Sequence, residues 1–294
     1  MKKRILLTGV TGFLGSHLAK ALLADGYEVV ALKRKSSLLG KVESIVSDII
    51  FFDIERLDFD QLFRDCGKID AIIHTATCYG RNNESVSEIF SANTEFPLRL
   101  LDTGSRAGVE LFLNTDTILD KYLNLYALSK NQFLQWGKFF SKQGKIRFGN
   151  IRLEHFYGPD DDPTKFTAHV INSCLNNIPE LKLTKGEQKR DFIYIEDVVS
   201  AYMVLLEKMD SFDSPFVEFD VGSGKSVSIR EFVETAHRLA SSETHLAFGA
   251  IPYRQGEMMH SEADISSLIA LGWQCRYDIE AGLKQVIEHE RGRA

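Results

Sequence analysis

The sequence predicts an α/β protein, a doubly wound parallel sheet with a smaller C-terminal α/β lobe. Three observations predict it: a glycine-punctuated strand, turn and helix at the start, short apolar runs alternating with helical stretches after it, and a proline-marked loop past Gly158 where a second lobe begins. The 294 residues, 44% hydrophobic and 26% charged, suffice for a full core in one large domain or two smaller ones. A net charge of -6 with no long basic run excludes nucleic acid as a main partner. No stretch approaches the roughly 20 apolar residues needed to cross a bilayer, so the chain is expected to be soluble, cytoplasmic and without a membrane partner.

The first element runs Arg4-Ile5-Leu6-Leu7-Thr8 into Gly9-Val10-Thr11-Gly12-Phe13-Leu14-Gly15. Gly9 permits a tight turn at the strand end, Gly12 removes the Cβ that would block a phosphate, and Gly15 lets the following helix pack near the strand. The helix opening at Phe13 and Leu14 points free N–H groups and the positive end of its dipole at the anion. Leu18, Leu22 and Leu23 at helical spacing, a stop at Asp25-Gly26 and a second strand over 28–32 supply the context that a bare glycine triplet lacks. Gly9, Gly12, Phe13, Leu14 and Gly15 are therefore candidate dinucleotide contacts. The basic Met1-Lys2-Lys3-Arg4 before an apolar run also invites a signal-peptide reading, but three glycines, two threonines and His17 interrupt the would-be apolar segment.

At the end of the second strand, where an NAD site places a carboxylate for the ribose hydroxyl, the sequence reads Lys33-Arg34-Lys35-Ser36-Ser37. Cations without a carboxylate suit the extra phosphate of NADP, with Lys33 and Arg34 as its candidate ligands. NADP(H) is expected in preference to NAD(H).

Apolar runs over 49–52, 71–74 and 111–114 read as further strands, and 86–105 as a helix between two of them. A helix over 126–141 carries Phe133, Trp136 and Phe140 on one side, a core or dimer face. Cys66, Cys78, Cys174 and Cys275 are widely separated, with no CxxC pair and no histidine cluster, so neither a metal site nor a disulfide framework is indicated. Tyr126-Ala127-Leu128-Ser129-Lys130 places a phenol and an ammonium four residues apart on one helix face, where Lys130 is expected to favour the ionised form of Tyr126. A tyrosine so tuned exchanges a proton at a carbonyl or hydroxyl while nicotinamide exchanges hydride.

With those motifs the chain resembles, over nearly its whole length, an extended short-chain dehydrogenase/reductase with a Rossmann domain, the family of nucleotide-sugar epimerases, dehydratases and ketoreductases. The resemblance implies Asp53 and Ile54 at the adenine, Thr75 and Ala76 (after His74) along the cofactor, Asn93 on the central helix, and Tyr157-Gly158-Pro159 at the lobe junction. It also implies that Arg190, in Arg190-Asp191-Phe192-Ile193-Tyr194, and Arg254, in Arg254-Gln255-Gly256-Glu257, grip a nucleotide diphosphate with bidentate guanidinium. His155 stands where many relatives carry a substrate-touching asparagine. Thr115-Asp116-Thr117 offers two candidates for the catalytic hydroxyl; we prefer Thr117, with Thr115 as the alternative. The third member is threonine where dehydratases have glutamate, which argues against water elimination.

Finer wording is similar to 4-keto-6-deoxysugar nucleotide reductases. That implies NADPH-dependent reduction of the C4 ketone of a CDP- or dTDP-linked 4-keto-6-deoxy or 3,6-dideoxyhexose, as in deoxysugar and O-antigen lipopolysaccharide biosynthesis, by a homodimer. Tyr126 gives the proton, Thr117 holds the oxygen, and Lys130 tunes Tyr126 and binds ribose. The alternative is an NAD-dependent nucleotide-sugar 4-epimerase; a non-catalytic dinucleotide sensor would need no Tyr126 and Lys130. The expected dinucleotide domain is 1–155 with 191–222, and the sugar-nucleotide lobe 156–190 with 223–294.

Overall fold

The computed structural model describes residues 2–208, 212–254 and 256–292. In chain order it runs β1 (Arg4–Thr8), α1 (Phe13–Ala24), β2 (Glu28–Lys33), β3 (Ile49–Asp53), α2 (Phe59–Cys66), β4 (Ala71–His74), α3 (Val86–Phe90), α4 (Phe96–Arg106), β5 (Leu111–Thr117), α5 (Leu125–Lys142) and β6 (Arg147–Leu153). It continues with β7 (His155–Tyr157), α6 (Phe166–Leu175), β8 (Glu180–Leu183), β9 (Lys189–Tyr194), α7 (Ile195–Lys208), β10 (Phe216–Val221), β11 (Ser226–Ser228), α8 (Ile229–Leu239), β12 (His245–Phe248), α9 (Ser266–Ala270) and α10 (Ile279–Arg291).

Strands β1 to β6 pair in parallel, and β10 lies beside β6, giving the sheet order β10-β6-β5-β4-β1-β2-β3. This is the doubly wound Rossmann arrangement. The order in which strands are added reverses between β1 and β4, and such sheets bind ligands at the carboxyl ends of the strands beside that switch point. Every residue of β4 is buried, as a parallel strand covered by helices on both faces requires. Among the described residues no helix is long and apolar enough to cross a membrane.

The chain divides into two compact units, Met1–Leu153 with Tyr202–Phe219, and Glu154–Ala201 with Asp220–Ala294. In the second unit β9 pairs in parallel with β7 and antiparallel with β11, while β8 and β12 form a separate parallel pair. Those pairings shorten the expected return segment 191–222. The backbone of β9 is committed to β7 and β11, so the first unit is rejoined only at Tyr202. Buried Asp191 braces the second unit: its carboxylate accepts from Ser223 N (2.7 Å), Gly224 N (2.9 Å) and Ala263 N (3.2 Å).

Two expected helices differ in detail. The stretch 86–105 is interrupted by a π-turn at Ser91–Glu95, which swings Asn93 inward. On α5, Phe133 and Phe140 are buried, but Trp136, three residues after the one and four before the other, is 44% exposed and sits at the edge of the core-facing stripe.

Behind β5 and β6 the core is aromatic. Phe112 and Phe148 stack with ring centroids 5.5 Å apart, and Phe133 meets Phe148 edge-on at 5.8 Å. Helix α5 crosses this cluster at Gly137, where an added Cβ would overlap the Phe148 ring. Helix propensity alone favours Gly137→Ala by about 1 kcal/mol, but overpacking a close-packed interior costs about 1–3 kcal/mol. Gly137→Ala is expected to lower the urea unfolding midpoint, and adding Phe148→Leu to recover part of the loss; a stabilised single variant would contradict this packing.

Candidate active site

The turn after β1 is built by contact rather than by flexibility alone. Gly9 has a φ of 74°, and a Cβ there would meet Thr75 Oγ1 at 2.6 Å and Ala76 N at 2.7 Å. Gly15 is as constrained, since its Cβ would strike the Gly9 carbonyl. Gly12 is different: only the Gly9 carbonyl oxygen, at 3.1 Å, comes near. Gly12 also caps α1 without any side-chain partner, and no acidic residue occupies the first turn. The N–H groups at Phe13, Leu14 and Gly15 therefore face outward beside an open cradle, as a pyrophosphate requires.

Thr8, which the sequence reading passed over, ties β1 to β4. Its hydroxyl oxygen accepts from Thr75 N and Ala76 N, each at 3.2 Å, and lies 2.8 Å from His74 Nδ1, while Thr75 Oγ1 donates to Thr8 O at 2.7 Å. With two donors already on its oxygen, Thr8 gives its proton to His74, which places the His74 hydrogen on Nε2 among Phe96, Phe112 and Phe133. Burial and nearby Lys130 hold His74 well below its ordinary pKa, so it is neutral. The signal for Thr8 was a hydroxyl directly before the first glycine.

Asn93 faces the protein. Its amide donates to Cys78 O (2.8 Å) and Ser129 Oγ (3.0 Å) and accepts from Cys78 N (2.7 Å) and Thr77 Oγ1 (3.2 Å). All four positions being used, Asn93 shapes the loop after β4 instead of touching a cofactor itself. At the ends of β2 and β3 the register sets Lys33 opposite Asp53, and the two form an ion pair at 2.5 Å. Lys33 is thus already neutralised, while Arg34 is exposed. Ile54 follows directly in the turn after β3.

The candidate reacting groups stand on β5 and α5. Burial, aided by nearby Tyr79 and Asp116, pushes the Tyr126 phenol well above the ordinary tyrosine range against the opposing influence of Thr117 and Arg81, and the Thr117 hydroxyl oxygen accepts from Leu119 N at 3.2 Å. The expected lowering by Lys130 is not what governs Tyr126 here. Lys130 is fully buried, and desolvation pushes its ammonium down to about 8, with Asp116 opposing that fall and Lys121 adding to it. Thr115 is turned to other work: its hydroxyl lies 2.6 Å from the phenol of buried Tyr202.

In the second unit, His155 Nδ1 lies 3.1 Å from Glu154 Oε2, and buried Glu154 also accepts from Ser261 Oγ. Arg190 is nearly buried, donating to Glu257 (2.6 Å) and to Lys189 O (2.8 Å). Burial lowers its pKa against the pull of Glu257 and Glu154. Arg254 is exposed.

Residues 5–222 match the NAD dependent epimerase/dehydratase family. The chain belongs to that family. It is 35% identical to the CDP-abequose synthase of Salmonella muenchen over 294 residues, 98% of each chain, and 35% identical to that of Salmonella typhimurium over 302 residues, again 98% of each. Among solved structures, UDP-glucose 4-epimerase of Thermotoga maritima with UDP-glucose superposes at a TM-score of 0.86 with 21% identity and 99% of each chain covered. MoeE5 in complex with UDP-glucose and NAD does so at 0.84 with 25% identity, also over 99% of each.

Membership in the family makes this chain an enzyme that uses a nicotinamide dinucleotide, and the open cradle at Gly12 fits one. The three glycines then separate by role. Gly12→Ala is expected to leave thermal unfolding within about 1 kcal/mol while weakening dinucleotide binding at least about 10-fold, measured by protein fluorescence. Gly15→Ala is expected to destabilise the fold itself. Equal thermal losses for the two would show that Gly12 is a turn glycine only.

Proposed function

We propose that the chain is an NADPH-dependent 4-ketoreductase acting on a CDP- or dTDP-linked 4-keto-6-deoxy or 3,6-dideoxyhexose in deoxysugar and O-antigen biosynthesis in the cytoplasm. The observation that carries the reading is Tyr126 one helical turn from buried Lys130 on α5, with Thr117 near enough to influence the Tyr126 phenol, in a chain alike over its full length to two CDP-abequose synthases. When bound, the dinucleotide supplies hydride to C4. The ketone oxygen takes its proton from Tyr126, whose burial keeps the phenol protonated, the form a reduction consumes. Thr117 holds the phenol and the oxygen in line, and Lys130 carries the charge that steadies Tyr126 once its proton has gone. Arg190, Arg254 and His155 are read as ligands of the sugar nucleotide, the guanidiniums taking its diphosphate.

Tyr126→Phe is expected to cut NADPH consumption by about 10²-fold or more with cofactor affinity little changed. Thr117→Val is expected to be the more harmful of the two threonine changes, since Thr115 is engaged by Tyr202. Near-normal ketoreductase turnover by Tyr126→Phe would overturn the mechanism. NAD held tightly through purification, with C4 inversion and no net consumption of reductant, would establish the 4-epimerase reading in its place.

Because Lys33 is paired with Asp53, the NADP preference is assigned mainly to Arg34. Arg34→Ala is expected to raise the KM for NADPH about 10-fold or more while leaving NADH nearly unchanged, with a smaller effect for Lys33→Ala. Equal use of the two cofactors by the unmodified protein would remove this assignment.

The homodimer is assigned to the faces of α3 and α5. Val86, Phe90, Leu125, Trp136 and Phe139 expose large apolar side chains there, and the first three line a hollow of ≈ 410 Å³. Light scattering is expected to give twice the chain mass for the unmodified protein and the chain mass for Trp136→Glu; a monomeric unmodified protein would contradict it.

A further inference from the structure

Between Thr117 and α5 lies a charge pair that the proposed chemistry does not use. Asp116 is fully buried, and both its oxygens are engaged: Oδ1 accepts from Thr117 N at 2.8 Å, and Oδ2 from Lys121 Nζ at 2.8 Å and Asn150 Nδ2 at 3.0 Å. Lys121 Nζ also donates to Thr117 O at 3.0 Å. The N–H and the C=O of Thr117 are therefore both held by this one ion pair, at the strand end where the ladder to β6 runs out. Asn150 extends the network, donating to Glu218 Oε2 (2.7 Å) and accepting from Asn114 Nδ2 (2.8 Å).

A buried ion pair repays its desolvation poorly as a source of stability, so its position is the informative fact. We propose that Asp116 and Lys121 are positioning residues: Lys121, anchored on Asp116, clamps the Thr117 carbonyl and so fixes the end of β5 that presents the Thr117 hydroxyl toward Tyr126. This rests on the reading of Thr117 and Tyr126 as the reacting pair. The same two charges act on Lys130 in opposite senses. Lys130 is faced by Asp116 from β5, Lys121 from the following loop and His74 from β4, with Tyr126 one turn before it on α5; Asp116 favours its ammonium form and Lys121 disfavours it, while His74 is neutral.

That opposition gives the pair an electrostatic signature at Lys130, and the split between kcat and KM is the readout that reports positioning. Asp116→Asn leaves Lys121 unopposed and is expected to move the Lys130 titration below about 8. Lys121→Met leaves Asp116 unopposed and is expected to move it above. Each shift is expected to be about half a pH unit or more, read by ¹³C NMR of ε-¹³C-lysine-labelled protein, with the Lys130 signal assigned by its loss in Lys130→Arg. In turnover, Lys121→Met is expected to lower kcat about 10-fold or more with KM for the sugar nucleotide little changed, and Lys121→Arg to restore most of it.

Shifts of both variants in one direction, or wild-type kcat in Lys121→Met, would overturn the proposal. Should Asp116→Asn fail to fold, Lys121→Met decides alone, an unmoved or lowered Lys130 titration counting against the proposal. The NMR arm needs no substrate, so opposed shifts in a protein that reduces no ketone would sink the ketoreductase reading while leaving the electrostatic assignment standing. Normal reduction without those shifts would sink the proposal alone.

Discussion

The period of two in a β-strand is the constraint on which the reacting end depends. In Thr115-Asp116-Thr117 it puts two hydroxyls on one face of β5 and a carboxylate on the other. Thr115 goes to Tyr202, Thr117 on the same face influences the Tyr126 phenol, and Asp116 turns toward β6, where Asn150 meets it. A slip of one residue would exchange the faces, putting a carboxylate against the phenol and burying a hydroxyl where Lys121 needs its counter-ion.

The price of this arrangement is polar burial. Lys130, Asp116, His74 and Asn93 are all buried, and each is placed among specific partners or aromatic rings instead of plain hydrocarbon. Lys130 shows what such burial does. A fully solvated lysine would stay charged to high pH, whereas here the ammonium titrates near 8, close enough to neutrality for neighbouring charges to decide its state. Tyr126 is moved in the complementary sense, its proton retained.

What was legible in the sequence was whatever one element encodes alone. The glycine loop could be read because each glycine answers a local steric demand, and Tyr126 with Lys130 because helical spacing puts them on one face. The sheet followed from the alternation of apolar runs with helices. Pairings that depend on register could not be read: Lys33 and Asp53 each looked like a cofactor ligand, and only the alignment of β2 with β3 makes them partners. Asn93 looked like a cofactor contact until a π-turn brought its amide onto the loop after β4. Asp116 carried one faint signal, an acid at the polar end of a strand that opens Leu111-Phe112-Leu113, and Lys121 carried none, since its meaning comes from a loop that folds back on the strand end.

The central claim is that the chain moves hydride irreversibly to C4 of a keto sugar nucleotide while Tyr126 supplies the proton. Isotope tracing tests it most directly: the protein is incubated with a CDP- or dTDP-linked 4-keto sugar and NADPH deuterated at the transferring position, and the product is examined by NMR and mass spectrometry. The account predicts one deuterium, on C4, for each NADPH oxidised, and a sugar hydroxyl whose proton exchanges with solvent. Sugar recovered without deuterium, or inverted at C4 with the cofactor unspent, would contradict it.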